Sequence, residues 1–165
     1  MSSHVDNTRN GIADPSMQQF EKYELCVKLF DLIPYPIQIF SLDGTARMIN
    51  DAALEMIGIK SRECHIGRYN VFEDPIVHKL GVTDQIRQVL TGKTVYLTDF
   101  TVSYEDMMRY FDVRERDLKI INSDITCFPL ANSDGRVEYF AAIFIFKNVY
   151  AGKEEIGRAK QYIKT

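Results

Sequence analysis

The residues able to do chemistry in this chain are few and scattered. Cys26, Cys64 and Cys127 stand far apart, and Cys64-His65 has no second pair at metal-ligand spacing. Cys26 and Cys127 sit in apolar stretches, so no metal site is expected. No Gly-x-Ser-x-Gly elbow, Gly-rich phosphate loop or His-Glu-x-x-His run is present. Asp and Glu are dispersed as on a solvated face. No catalytic residue is therefore assigned, and the chain is not expected to be an enzyme, with a small cavity enzyme kept as an alternative. What the sequence offers instead is polar residues set among aromatic and aliphatic ones. Tyr69 and Asn70 precede Phe72, Arg87 follows Ile86, and Asn122 and Asp124 alternate with Phe128. That pattern suits ligand binding better than turnover.

The elements that must position these residues belong to one ordinary domain. The chain has 165 residues, 26% charged and 45% hydrophobic, enough to bury a core and too apolar for whole-chain disorder. No apolar run approaches the roughly 20 residues a membrane span needs; the longest, Tyr139–Phe146, is strand-sized. The N-terminus lacks an apolar signal region, and an odd number of unclustered cysteines indicates reduced thiols in a cytoplasm. A net charge of −3 gives no electrostatic reason to bind nucleic acid or membrane.

Residues 1–13 are polar and unpatterned and are expected to be a disordered tail. Asp14-Pro15 opens a helix over 14–33, in which Phe20, Tyr23, Val27 and Phe30 recur at spacings of 3, 4 and 3. Pro34 and Pro36 stop it. Ile37–Leu42 and Ala46–Asn50 flank Asp43-Gly44, a strong hairpin signal. Asp51–Gly58 is a short helix starting on Asp, and Val82–Leu90 a longer one closed by Gly92. Three strands follow: Thr94–Val102, Ile120–Leu130 and Arg136–Val149, the last two joined through Asn132–Gly135. A charged insert, Ser103–Lys119, separates the first two; Met107, Met108, Tyr110 and Phe111 in it fit a lid, a satellite cluster or a partner contact. Gly152–Thr165 is expected to be helical and basic.

Strands at both ends with helices between them predict an α+β fold, one antiparallel sheet with its helices on one face. In Tyr139–Phe146 both alternating sets are apolar, so this strand is covered on both faces. The apolar element left for the second face is the N-terminal helix, from its own chain or a partner's.

The run Leu29–Gly44, with Pro34-Tyr35-Pro36-Ile37-Gln38-Ile39-Phe40, resembles the opening of a PAS sensor domain. Ile49-Asn50-Asp51-Ala52-Ala53-Leu54-Glu55-Met56-Ile57-Gly58 resembles the strand end and short helix that follow. Phe128-Pro129-Leu130 and Asp134-Gly135-Arg136-Val137 are similar to the final hairpin. The resemblance covers about residues 20–150 and implies a PAS domain over 34–150, with five antiparallel strands, helices on one face and the N-terminal helix on the other. The insert at Ser103–Lys119 departs from the family's usual short turn.

The family's cofactors are not expected here. Flavin photosensors keep a reactive Cys where Gly67-Arg68-Tyr69-Asn70 places Asn70, and a haem would need an axial His, whereas His78 lies between Pro75 and Gly81. The resemblance implies a cavity between sheet and helices for an unknown small organic ligand. Its expected lining is Ile39, Phe72, Ile86, Leu90, Tyr96, Phe100, Phe128, Phe144 and Phe146, with Tyr69, Asn70, Arg87, Asn122 and Asp124 as polar candidates. These aromatic residues serve equally as plain core. Asn122 and Asp124 face either this space, where something must bind them, or water. Arg87 would suit a small acid.

The expected partners are a small molecule and a second copy of the chain, through Phe20, Tyr23, Val27 and Phe30. Glu155–Ile163 resembles the first helix of an AraC-type DNA-binding domain, so 151–165 is expected to begin that domain or a linker, and DNA would be bound only beyond it. The implied role is the ligand-sensing and dimerisation domain of a transcriptional regulator. The input domain of a histidine kinase or cyclase, and a pure dimerisation module, are the alternatives.

Overall fold

Helix α1 (Pro15–Leu32) ends where Pro34 and Pro36 withdraw backbone donors. The computed structural model describes residues 15–110, 113, 120–151 and 154–156, so the expected 1–13 tail, the Asp14 cap and most of 152–165 lie outside it. Strands β1 (Ile37–Ser41) and β2 (Ala46–Ile49) form the expected hairpin. Gly44 takes φ +88° at its tip, and the Asp43 carboxylate accepts from the Ser41 hydroxyl at 2.6 Å and the Thr45 N–H at 3.0 Å. Helix α2 (Asp51–Ile57) stops at Gly58, which is left-handed at φ 82°. Its cap is Asn50 rather than the expected Asp51, because the Asn50 side chain accepts from Ala53 N.

A 3-10 turn (Arg62–Cys64) and helix α3 (Pro75–Lys79) follow. The helix expected at Val82–Leu90 divides into α4 (Thr83–Arg87) and a 3-10 turn (Gln88–Thr91) closed by left-handed Gly92. Then come β3 (Val95–Ser103), α5 (Tyr104–Tyr110), β4 (Ile120–Ala131), β5 (Val137–Ala151) and β6 (Glu154–Ile156).

Five of the six strands pair antiparallel in the order β2-β1-β5-β4-β3, the expected α+β architecture, and β6 pairs with β5. The short elements between β2 and β3 pack on one face of this sheet. There Phe40, Phe72, Val77, Ile86, Val89, Ile125 and Phe140 form the main core. A second cluster joins Met56, Ile76, Tyr104, Met107, Val113, Ile121 and Phe146, with Phe144 touching both.

The Ser103–Lys119 insert begins as a helix whose Tyr104 and Met107 are buried in the second cluster, as the satellite-cluster reading of Met107 expects; the side chains of Tyr110 and Phe111 lie outside the described residues. Two expectations need correction. Glu154–Ile156 is a strand, not helix: β1 occupies the β5 edge only up to Ile143, and β6 takes up the part beyond it. Within the chain α1 packs against α2 and leaves the outer sheet face open. Tyr139 and Ile145 on that face are 44% and 45% exposed, and on α1 Phe20 and Tyr23 are 57% and 68% exposed. Val27 and Phe30 are half-buried.

Candidate ligand cavity

The inner face of the sheet sets one wall of a cavity of about 460 Å³. Phe140, Ala142, Phe144 and Phe146 supply it from β5, Ile121, Ser123, Ile125 and Cys127 from β4, and Gln38 and Phe40 from β1. The segment from Cys64 to Val77 and helix α4 form the opposite wall, and Met107 and Val113 close one end. The lining is mostly apolar, with a small set of polar groups, as is usual of small-molecule sites.

Four of those polar groups form two linked pairs. Gln38 and His65, both buried, meet through Gln38 Oε1 and His65 Nε2 at 2.7 Å. An amide oxygen only accepts, so Nε2 carries the proton and Nδ1 is left as an acceptor. Burial lowers the His65 pKa from 6.5 to about 4, so the imidazole is neutral at physiological pH. Its ring stacks on Tyr69, centroids 4.6 Å apart. Tyr69 in turn donates its hydroxyl to Asp74 Oδ2 at 2.5 Å.

Asp74 caps α3, its Oδ1 accepting from Ile76 N at 2.7 Å and Val77 N at 3.3 Å. Burial raises the Asp74 pKa, opposed by the Tyr69 hydroxyl and the two helix N–H groups. Burial, then the Asp74 charge, pushes the Tyr69 phenol well above its ordinary value. Burial also pushes the Cys127 thiol up to about 12, so it is an inert wall residue.

One residue couples this cavity to α1. Asn50 is fully buried; its Oδ1 accepts from Ile37 N at 2.9 Å, and its Nδ2 faces the carbonyls of Phe30, Ile33 and Tyr35 at 3.3, 3.1 and 2.9 Å. It therefore ties the end of α1, the start of β1 and the start of α2 together, one residue from Gln38. Arg62 reinforces the joint by pairing with Asp31 at 2.6 Å and Asp51 at 2.8 Å.

Of the residues expected in the cavity, Ile86, Phe100, Phe144, Phe146, Tyr69 and Asn70 line it. Phe72 and Leu90 pack in the adjacent core instead. Ile39, Tyr96, Asn122, Asp124 and Phe128 fall on the outer face, because the inward phase of β4 runs through Ile121, Ser123, Ile125 and Cys127. Asn122 there donates to Thr101 Oγ1 at 2.7 Å, and Asp124 pairs with Lys147 at 2.7 Å. Arg87 is exposed, its guanidinium 4.2 Å from the Phe72 ring centroid and outside the cavity. Gln38, His65, Asp74 and Ser123 escape the sequence reading. The available signal was a polar residue interrupting apolar strands, as Gln38 and Ser123 do.

No protein-family model matches the chain, and no curated protein does. Solved structures do, and they show that its fold is that of PAS sensor domains. The PAS domain of an HTR-like protein from Haloarcula marismortui superposes with a TM-score of 0.56 at 16% identity, over 79% of this chain and 96% of that one. The PAS domain of Bordetella pertussis BvgS gives 0.50 at 16% identity, over 76% and 86%. VqmA bound to DPO gives 0.51 at 21% identity, over 74% of this chain and 57% of that one. Similar structures also include a domain of a sensory box sensor histidine kinase/response regulator from Geobacter sulfurreducens.

No helix among the described residues is long and apolar enough to cross a membrane. No cluster of metal-ligating side chains is found among them either.

Proposed function

We propose that this chain is the small-molecule-sensing input domain of a cytoplasmic transcriptional regulator, and that it works as a homodimer without catalysis. The observation that carries the sensing role is the cavity of about 460 Å³ between sheet and helices, lined by apolar side chains and two hydrogen-bonded polar pairs. A ligand there touches Gln38, and Asn50 links the same strand to α1, so altered packing in the cavity has a short physical route to that helix. The route has an effect only where the ligand binds two packings with different affinity.

Dimerisation is supported by two apolar surfaces left open by the chain itself, α1 and the outer sheet face. A partner's α1 laid on Tyr139 and Ile145 buries both, and two-fold symmetry then repeats the contact. The three cysteines are free, as a reducing compartment requires.

The regulator output rests on likeness to VqmA, whose dimer from Vibrio cholerae is described among DNA-binding LuxR-type receptors. The AraC-type alternative to that output gains nothing at Glu155-Ile156, which form strand. Since the chain carries −3, DNA contacts would belong to residues beyond it. Screening a metabolite library by melting temperature tests the sensing role: a compound that binds the folded state raises the midpoint with its concentration. A library without a stabilising compound, together with a variant-insensitive dimer, would point to a plain structural module. Sequence-specific DNA binding by this 165-residue chain alone would overturn the division of labour.

A further inference from the structure

The cavity's open hydrogen-bonding atoms are distinct from its charges. Gln38 is 4% exposed and Ser123 is 2% exposed. Gln38 spends its oxygen on His65, and neither the Gln38 amide nitrogen nor the Ser123 hydroxyl bonds to another described residue. Among the described residues no sealed side-chain nitrogen or oxygen lacks a partner, so these two atoms keep an open side. Both residues line the cavity, and for side chains this buried the open side is the cavity. Gln38 thus offers an N–H donor, held in place by the bond from its oxygen to His65, and Ser123 offers a hydroxyl further along the sheet.

From the strand register and ordinary sheet spacings the two Cα positions are about 16 Å apart. Between them the floor is apolar: Ala142, Phe144 and Ile125.

The charged groups on the wall are placed against an ionic guest. Asp74 already receives the Tyr69 hydroxyl and the N–H groups of Ile76 and Val77. A carboxylate entering the cavity would meet its charge, and the wall's arginine, Arg68, is an exposed side chain, as is Glu73, which also lines the cavity. Arg87, the expected partner for an acid, lies outside. An ammonium group would find Asp74 occupied.

Resting on the sensing role above, we propose that the cavity selects an uncharged, elongated molecule whose amide-like head accepts from the Gln38 N–H, which His65 orients. Its apolar body lies over Ala142 and Phe144, and its tail reaches the Ser123 hydroxyl.

The test uses three probes of one shape: para-hydroxymethyl benzamide, the matching benzoate and the matching benzylamine. Binding is followed by amide chemical shifts of the intact chain at neutral pH. The benzamide is expected to bind at least about tenfold more tightly than either charged probe, the cost of one unmatched polar group. Gln38→Met is expected to remove that preference, with His65→Phe as a second variant should the first fail to fold. Ser123→Ala is expected to weaken all three probes while keeping the preference. Benzoate or benzylamine binding as well as the benzamide would overturn the neutral class and leave the sensing role standing. An unchanged preference in both head-group variants would overturn the assignment to Gln38 and His65. Failure of all three probes at millimolar concentration, in a protein that also carries no co-purifying molecule, would overturn the sensing role itself.

Discussion

Gln38 Oε1 lies 2.7 Å from His65 Nε2, so a polar pair is held inside a cavity whose lining is mostly apolar. Because Gln38 adjoins Ile37, whose N–H donates to Asn50, the cavity wall is joined to the end of α1 through the Asn50 side chain, which donates to the Phe30 and Ile33 carbonyls.

Asn50→Ala is expected to cost about 3 kcal/mol, since it removes a helix cap and unpairs buried backbone groups together. Asn50→Asp keeps the acceptor for Ile37 N and Ala53 N but loses the donors to the Phe30, Ile33 and Tyr35 carbonyls. Hydrogen exchange at residues 28–35 should therefore rise in Asn50→Asp while α2 stays protected. Equal exchange in the two regions would contradict the role of Asn50 as their tie.

His65 predicts a pH dependence. Its pKa falls from 6.5 to about 4 on folding through burial, so between those values the unfolded chain binds the extra proton. Stability from this group is full above about pH 6.5 and declines as the pH falls toward 4, by at most about 3 kcal/mol. Asp74, whose pKa burial raises, acts in the opposite sense. The comparison of wild type with His65→Asn in urea titrations isolates the histidine: the variant should lose less stability from pH 6.5 to pH 4. Parallel curves would show that His65 is not buried neutral.

Gly44 and Gly135 separate strain from crowding. Both have positive φ, +88° and +78°. A methyl group at Gly135 meets nothing within 4 Å, whereas at Gly44 it runs into the Phe72 ring and lies 2.6 Å from Asn70 Oδ1. Gly135→Ala should cost about 1 kcal/mol from the backbone alone. Gly44→Ala should cost more, by about 1–3 kcal/mol for overpacking. Equal midpoint shifts in chemical denaturation would contradict the packing of Phe72 under the hairpin.

What the sequence disclosed and what it hid have physical causes. Asp43-Gly44 and the doubly apolar Tyr139–Phe146 placed the hairpin and the central strand correctly, because turn chemistry and a continuous apolar run are local signals, although the chain itself covers only the inner face of that strand. Strand phase was harder. In β4 the aromatic Phe128 suggested one face, but Ile121, Ile125 and Cys127 define the other, which turns Asn122 and Asp124 to solvent. In β3 the register shifts between Leu97 and Phe100, with Asp99 at φ 55°, so both of those residues line the cavity although their spacing is odd. No single residue announces such a bulge. The His65–Gln38 and Tyr69–Asp74 pairs depend on chain folding between distant segments or on a cap, and pattern alone did not select them.

The proposed dimer surface can be tested from both sides. Phe20→Glu on α1 and Ile145→Glu on the outer sheet face should each yield a folded monomer by light scattering, since each buries a charge in the same apolar contact. A dimer that survives both changes would place the interface elsewhere.

A small molecule is expected to occupy the cavity. Mass spectrometry of denatured, freshly purified protein measures this directly when wild type and Ala142→Phe are run side by side. Ala142 faces the cavity between Gln38 and Cys127, so a phenyl ring there fills the space. A co-purifying uncharged organic molecule approaching one per wild-type chain is expected, and its loss from an Ala142→Phe variant with an unchanged circular dichroism spectrum. The same molecule retained in equal amount by the filled variant would contradict it.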